Sequence, residues 1–265
     1  MFNPDLANEL RRVAHACADA ARHETLKWFR AEGLAADNKE AGGFDPVTEG
    51  DRAAEVAMRA ILDAQRPQDA ILGEEKGFKP GTSGLTWVLD PIDGTRGYLA
   101  GTPTWGTLIA VGDSEGPRYG IVDQPYIGER FEGGLGVAQA TGPQGERTLK
   151  TSPVKTIEDA ILFTTFPEVG TPDDRRCFER VAARAKLTRY GMDCYGYALV
   201  AGGHADLVIE AGLQSYDIQG PMAVVQAAGG VVTNWEGGSV HEGGRAVAAA
   251  TPELHAQALE VLAGG

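Results

Sequence analysis

Two aspartates three residues apart, at the end of an apolar run, are the side chains best placed to do chemistry in this sequence. Trp87-Val88-Leu89 leads into Asp90-Pro91-Ile92-Asp93-Gly94-Thr95-Arg96. Proline fixes its own φ and keeps the preceding residue extended. The chain can then fold back after Asp90 so that both carboxylates face one point. Gly94 permits a backbone geometry or a close approach denied to other residues. Thr95 and Arg96 can open a helical turn whose free amides receive an anion. Hard oxygen ligands of this kind suit Mg²⁺. Paired ions ~3.5–4 Å apart can activate a water and stabilise a leaving oxygen, with Asp90 as a bridge and the Ile92 carbonyl as a further ligand. An EF-hand is excluded, because counting from Asp90 puts Gly101 where the bidentate glutamate belongs. Taken alone, Asp-Pro and Asp-Gly are equally good turn residues.

Other segments supply more carboxylates. Glu74 follows Gly73 at the end of a short apolar run, and Glu75 would point to the opposite side if the chain is extended there. Asp51 stands three residues after Thr48, the spacing of a capping box. Asp217 opens an apolar helical stretch and can serve as its cap. Each has an ordinary structural reading by itself; only a fold that gathers them makes a metal centre. The formal charge of −13 disfavours nucleic-acid backbones as partners. It would also repel a phosphorylated substrate unless cations stand between.

The elements that must do the gathering are legible as periodicities. Asn3 and Pro4 form a cap and first position for a helix reaching about Phe29. A second helix starts near Thr48, with Val56, Met58, Ile61 and Leu62 as its apolar face. Strands are expected over 70–72, 87–89, 107–111, 119–122 and 131–138, giving two helices on a hairpin-rich antiparallel sheet. Beyond a soft boundary at 138–155, strands over 161–165, 187–190, 206–210, 231–233 and 246–249 alternate with helices over 173–185, 195–201 and 217–228. A last helix starts at Thr251-Pro252. This pattern predicts an α+β half over 1–140 and an α/β half over 141–265, packed as one unit. Cys17, Cys177 and Cys194 form no disulfide framework and suit a reducing cytoplasm. The start of the chain lacks the order of a signal peptide, and no apolar run approaches the ~20 residues that span a bilayer. A cytoplasmic protein is therefore expected. The five histidines show no ligand spacing and read as surface or helix-end residues.

At the acidic residues the chain resembles the inositol monophosphatase family of lithium-sensitive, magnesium-dependent phosphatases. Three blocks carry the resemblance in order: Gly73-Glu74-Glu75, residues 87–95, and Glu210 to Asp217 running on to Ala227-Ala228-Gly229-Gly230. The segment from Lys39 through Asp45-Pro46-Val47-Thr48 to Asp51 is similar to the one before the family's second helix. Tyr216-Asp217 departs from the family's Trp-Asp, which bears on packing more than on chemistry. The resemblance implies a layered αβαβα sandwich, usually a homodimer, and a small phosphorylated metabolite as substrate, with no membrane and no nucleic-acid partner. It implies Glu74, Asp90, Asp93, Asp217 and the Ile92 carbonyl as ligands of Mg²⁺, two or three ions per site, with inhibition by Li⁺. Glu74 with Thr95, the latter bonded to a carboxylate, would orient the attacking water. Asp51 would act from the outer shell, and the Gly94 and Thr95 amides would receive the phosphate beside Arg96. Residues 103–110, 120–130 and 191–199 look like the family's histidinol-phosphatase branch. Histidinol phosphate carries an amine and an imidazole, which a carboxylate pair can receive; Asp193 and Glu210 are the candidates. A phosphatase for inositol phosphate or another sugar phosphate is the second reading. A metal-dependent binding protein without catalysis is the third.

Overall fold

The computed structural model describes residues 3–38 and 46–264. The first two residues of the chain, and the expectations placed on Lys39 and Asp45, lie outside the described residues. Asn3 accepts the Asp5 amide at 3.0 Å and Pro4 takes the first helical position, so α1 (Pro4–Trp28) starts where the sequence caps it. A short antiparallel pair, β1 (Ala36–Asn38) and β2 (Pro46–Thr48), leads into α2 (Glu49–Gln65). Its start is a reciprocal box: Thr48 caps the Asp51 amide while Asp51 accepts from Thr48 N at 2.8 Å.

An eight-stranded sheet follows: β3 (Ala70–Gly73), β4 (Gly77–Lys79), β5 (Thr86–Asp93), then α3 (Thr95–Ala100), β6 (Gly106–Asp113), β7 (Gly116–Gln124), β8 (Glu129–Gly134), β9 (Val137–Gly142) and β10 (Gly145–Thr148). Its order is β10-β9-β8-β7-β6-β5-β3-β4, antiparallel except for the parallel pair β3 and β5. The single strand expected over 131–138 is two strands, reversed at Leu135 and Gly136, both at positive φ. A division after residue 140 falls inside β9, and the sheet continues to Thr148.

The second sheet is built from β11 (Ile161–Thr164), α4 (Pro172–Ala182), β12 (Leu187–Tyr190), α5 (Cys194–Ala201), β13 (Leu207–Leu213), α6 (Ser215–Ala227), β14 (Val231–Thr233), β15 (Gly244–Ala249) and α7 (Pro252–Ala263). Its order is β12-β11-β13-β15-β14, with the first three parallel.

Alternation along the strands assigns the layers. Trp87 and Leu89 of β5, Ile109 of β6 and Ile121 of β7 bury against Leu10 and Cys17 of α1 and Met58 and Leu62 of α2. The opposite face presents Leu108, Val122 and Phe131 to Ile218, Met222 and Val224 of α6 and to Tyr197 of α5. Those two helices also touch Phe163, Val208 and Ala248 of the second sheet. That sheet's far face packs Leu162, Leu207 and Val247 on Phe178 of α4 and Leu254 and Val261 of α7. The result is the layered αβαβα sandwich. Gly120 is one place where α6 lies close on the first sheet; a Cβ there would lie 2.5 Å from the Gly220 carbonyl. Val56, expected in the α2 apolar face, is 50 % exposed. The buried positions of that helix are Gly50, Asp51, Ala54, Glu55, Met58 and Leu62. Among the described residues no helix is long and apolar enough to cross a membrane.

His15, read from sequence as a surface or helix-end residue, instead faces a polar network under α1. Its Nε2 lies 3.2 Å from Glu132, which also accepts from the Tyr119 hydroxyl and from Gln139 at 2.7 Å. Nearby, Asp123 is fully buried and accepts from both Arg22 and Arg130. Burial pushes the Glu132 carboxyl up, but His15, Tyr119 and Gln139 outweigh it and hold the group at about 2. The folded value lies below the unfolded one (~4.3 for Glu), so Glu132 stabilises the fold above that value. The contribution fades as pH falls toward 2. Glu132→Gln is therefore expected to lower unfolding free energy by roughly 2 kcal/mol at pH 7. The deficit should shrink at pH 3, as read by urea denaturation of both proteins at each pH. An equal deficit at both would mean the loss is one of packing.

Candidate metal and phosphate site

The acidic residues meet at the C-terminal ends of the parallel strands β3 and β5, where the N-terminal turn of α6 points between the two sheets. Regular alternation would put Asp90 and Asp93 on opposite faces, since they are three residues apart. The register solves this. Asp90 pairs with Leu108 and Asp93 with Gly106, so three steps on β5 match two on β6. The extra residue is a bulge, and it returns Asp93 to the face of Asp90. The strand thus runs through Pro91 to Asp93, where the sequence had suggested that it stops at Asp90 and folds back.

One oxygen from each of Asp90, Asp93 and Asp217 lies within 4.8 Å of the others. Asp217 is the third residue of α6, and its Oδ2 accepts the Gln214 amide at 2.6 Å while the carboxyl also shares a hydrogen bond with Asp90. Glu74 stands in the turn between β3 and β4, which is not extended at Glu75. Its amide donates to Leu89 O at 3.1 Å, and its carboxyl is hydrogen-bonded to Asp90. Asp51 lies close enough to feel the charges of Glu74 and Glu75.

Electrostatics report the crowding. Burial first, then Glu74, Asp93 and Asp217, drive the Asp90 carboxyl well above the carboxylate range. Burial, then Asp193 and Asp217, do the same to Asp93 against a bond from the Cys194 amide. Asp51 and Asp217 are each pushed up to about 7, chiefly by burial. Like charges this close cannot all ionise without a cation among them. The donor set is all oxygen, which fits a hard divalent ion of the Mg²⁺ type. Asp90 Oδ1 and Asp51 Oδ1 are buried without a hydrogen-bond partner, and a buried acceptor left so costs about 1–3 kcal/mol. Both observations fit a metal site.

A cavity of about 270 Å³ opens beside the cluster and shares Asp93 and Asp217 with it. Gly94, at φ 83°, and Thr95 form part of its wall. The Thr95 hydroxyl donates to the Ile92 carbonyl at 3.0 Å, where the sequence reading expected a carboxylate. Asp193 is the N-cap residue of α5 by position, but its side chain makes no cap bond. It lies over Gly94 instead, where a Cβ would approach its carboxyl carbon to 2.9 Å. Burial, then Glu210, push Asp193 up to about 7, with Arg96 pulling the other way. Glu210 lines the same cavity and accepts from Thr165 N at 3.1 Å and the Tyr197 hydroxyl at 2.9 Å. Sequence reading missed Thr165 and Tyr197, which hold Glu210, and Phe166, whose ring lies 4.8 Å from the Arg96 guanidinium. The signal for Phe166 was its place just beyond the end of β11.

A family model described as the inositol monophosphatase family matches residues 6–263. The chain is 38 % identical over 261 residues to the chloroplastic bifunctional phosphatase IMPL2 of Arabidopsis thaliana, covering 94 % of this chain and 74 % of that protein. It is 36 % identical to a histidinol-phosphatase of Streptomyces coelicolor, with 98 % of each chain covered. Among solved structures, an inositol monophosphatase from Zymomonas mobilis superposes with a TM-score of 0.83 at 35 % identity, covering 95 % of this chain and 96 % of that one. With sequence, layers and acidic cluster all agreeing along nearly its whole length, the chain belongs to the inositol monophosphatase family and is a phosphatase.

Proposed function

We propose that this phosphatase hydrolyses L-histidinol phosphate to L-histidinol and phosphate with Mg²⁺ as cofactor. The observation that carries the reading is the wall of the cavity facing the acidic cluster: Asp193 and Glu210 stand there, on the side where the alcohol part of an ester would lie. An ammonium and an imidazolium can be held by such carboxylates through charge-assisted hydrogen bonds. The histidinol-phosphatase of Streptomyces coelicolor, similar over its full length, points the same way.

Glu74, Asp90, Asp93, Asp217 and the Ile92 carbonyl would hold the metal. When bound, Mg²⁺ polarises the phosphate and lowers the proton affinity of the attacking water. The chain's own residues do the rest. The Gly94 and Thr95 amides orient the phosphate beside Arg96, and Glu74 with the Thr95 hydroxyl orients the water. Asp51 reaches the cluster from α2 as an outer carboxylate. Water oxygen bonds to phosphorus, the ester P–O bond breaks, and the proton that the water gives up goes to the departing alkoxide.

The solved inositol monophosphatase from Zymomonas mobilis supports a second reading, with a neutral polyol phosphate as substrate. Initial rates on histidinol phosphate, inositol 1-phosphate and a sugar phosphate at saturating Mg²⁺ decide between them. We expect kcat/KM for histidinol phosphate to exceed the others by at least tenfold, the ~1.4 kcal/mol that one charge-assisted contact supplies. Faster turnover of inositol 1-phosphate would reverse the assignment. Absence of phosphate release from every ester would leave a metal-dependent binding protein.

A further inference from the structure

Glu55 is fully buried one turn after Asp51 on α2, among apolar neighbours where a carboxylate is out of place. Its hydrogen bonds explain the position. Oε2 accepts the Glu75 amide at 2.7 Å, and Oε1 accepts the Lys76 amide at 3.1 Å and Arg59 Nε at 2.7 Å. Arg59 in turn donates through Nη2 to the Gly77 carbonyl at 2.5 Å. Gly73 makes room for the contact, since a Cβ there would lie 2.2 Å from Glu55 Oε1. On the other side, the Glu74 amide is tied to Leu89 O of β5. The turn from Gly73 to Gly77 is therefore clasped by α2 through two of its amides and one carbonyl, and the Glu74 amide ties it to the strand that carries Asp90. Glu74 is the residue this clasp encloses, and its carboxyl points at Asp90.

We propose that Glu55 is a positioning residue for the metal centre, fixing the turn that aims Glu74 at Asp90 and thereby setting divalent-cation affinity without touching substrate. The inference rests on the reading of Glu74 and Asp90 as metal ligands. A carboxylate suits the task because both oxygens accept, so it can take two amides and a guanidinium at once. Glutamine cannot, because its NH₂ would face an N–H donor. The Arg59 pair offsets the buried charge, so Glu55 organises the turn without adding a full negative charge to the cluster.

The test is a titration of substrate-free protein with Mn²⁺, followed by its EPR signal, together with steady-state kinetics. Glu55→Gln is expected to weaken Mn²⁺ binding by at least tenfold. At saturating Mg²⁺ its KM for the phosphate ester should stay within twofold of wild type and kcat within about fivefold. Gly73→Ala, which pushes Glu55 aside while keeping it, should weaken Mn²⁺ binding in the same way; it serves as the second arm if Glu55→Gln does not fold. Unchanged Mn²⁺ affinity in a folded variant overturns the positioning role. So does an effect confined to KM for the ester. Asp90→Asn separates the two layers of the argument. If wild type binds no Mn²⁺, or Asp90→Asn binds as tightly as wild type, the metal reading itself fails. If Asp90→Asn loses the ion while Glu55→Gln keeps it, only the clasp is wrong.

Discussion

Asp90→Asn is expected to leave a folded protein that releases phosphate at least ~10³-fold more slowly than wild type at saturating Mg²⁺. Asp90 is buried between Glu74 and Asp217, shares hydrogen bonds with both, and keeps one oxygen without any partner. An amide of the same shape offers one weaker acceptor and turns its NH₂ on groups that should face a cation. Loss of a metal's transition-state stabilisation is worth several kcal/mol, and each ~1.4 kcal/mol is a factor of ten. Stability should move the other way. In the metal-free state the Asp90 carboxyl is forced well above its normal range by burial and by three neighbouring acids, so its ionisation opposes folding near neutral pH. Removing the titrating group removes that opposition. Metal-free Asp90→Asn should therefore melt above metal-free wild type in EDTA, although it turns over far less substrate in Mg²⁺. Activity within tenfold of wild type would show that Asp90 holds no metal. A lower metal-free melting temperature would show that its role is structural.

The opposite signs expected for Asp90 trace what could be read from the chain beforehand. The chemistry of Asp90-Pro91-Ile92-Asp93-Gly94 was legible because a strand ending in hard oxygen donors is a local pattern. The caps at Asn3-Pro4 and Thr48-Asp51 were legible for the same reason: their bonds close within three residues. The convergence of Asp90 and Asp93 was expected from the proline, yet it depends on the bulge opposite Leu108 and Gly106. A bulge is a property of two strands, and only one of them is in view when the motif is read. Glu55 was passed over because a glutamate on a helix is ordinarily a solvated residue. Its partners, Glu75 and Lys76, lie about twenty residues along the chain. Val56 shows the converse: an apolar residue expected in the buried stripe that points outward because Ala54, Met58 and Leu62 define the apolar part of the buried face. The place of α6 between two sheets was hidden as well, since the helix is apolar nearly all round and periodicity gives it no outer side.

Asp193→Gly is expected to separate substrate recognition from the fold. The backbone of Asp193 sits at φ 48° and ψ −141°, a region that non-glycine residues occupy at a cost of roughly 1–3 kcal/mol. The side chain makes no cap bond to offset that strain, and its carboxyl hangs over Gly94 at the cavity wall. Such strain persists where the side chain's position is useful. Glycine relieves it and removes a buried acid from a crowded site, so the variant should melt several degrees higher than wild type. If Asp193 receives the cationic end of histidinol phosphate, one charge-assisted bond worth roughly 1.5–3 kcal/mol is lost. That corresponds to a tenfold to hundredfold fall in kcat/KM for histidinol phosphate, while a neutral phosphate ester should fall by threefold or less. Asp193→Asn, which keeps the shape and the strain but not the charge, should show the same substrate-specific loss with a smaller gain in melting temperature than Asp193→Gly, since it removes the buried acid but not the strain. Equal losses on charged and neutral esters would give Asp193 a different task. It precedes Cys194, whose amide donates to Asp93 at 2.6 Å, and a loss common to all esters would mean that its backbone serves to aim that proposed metal ligand.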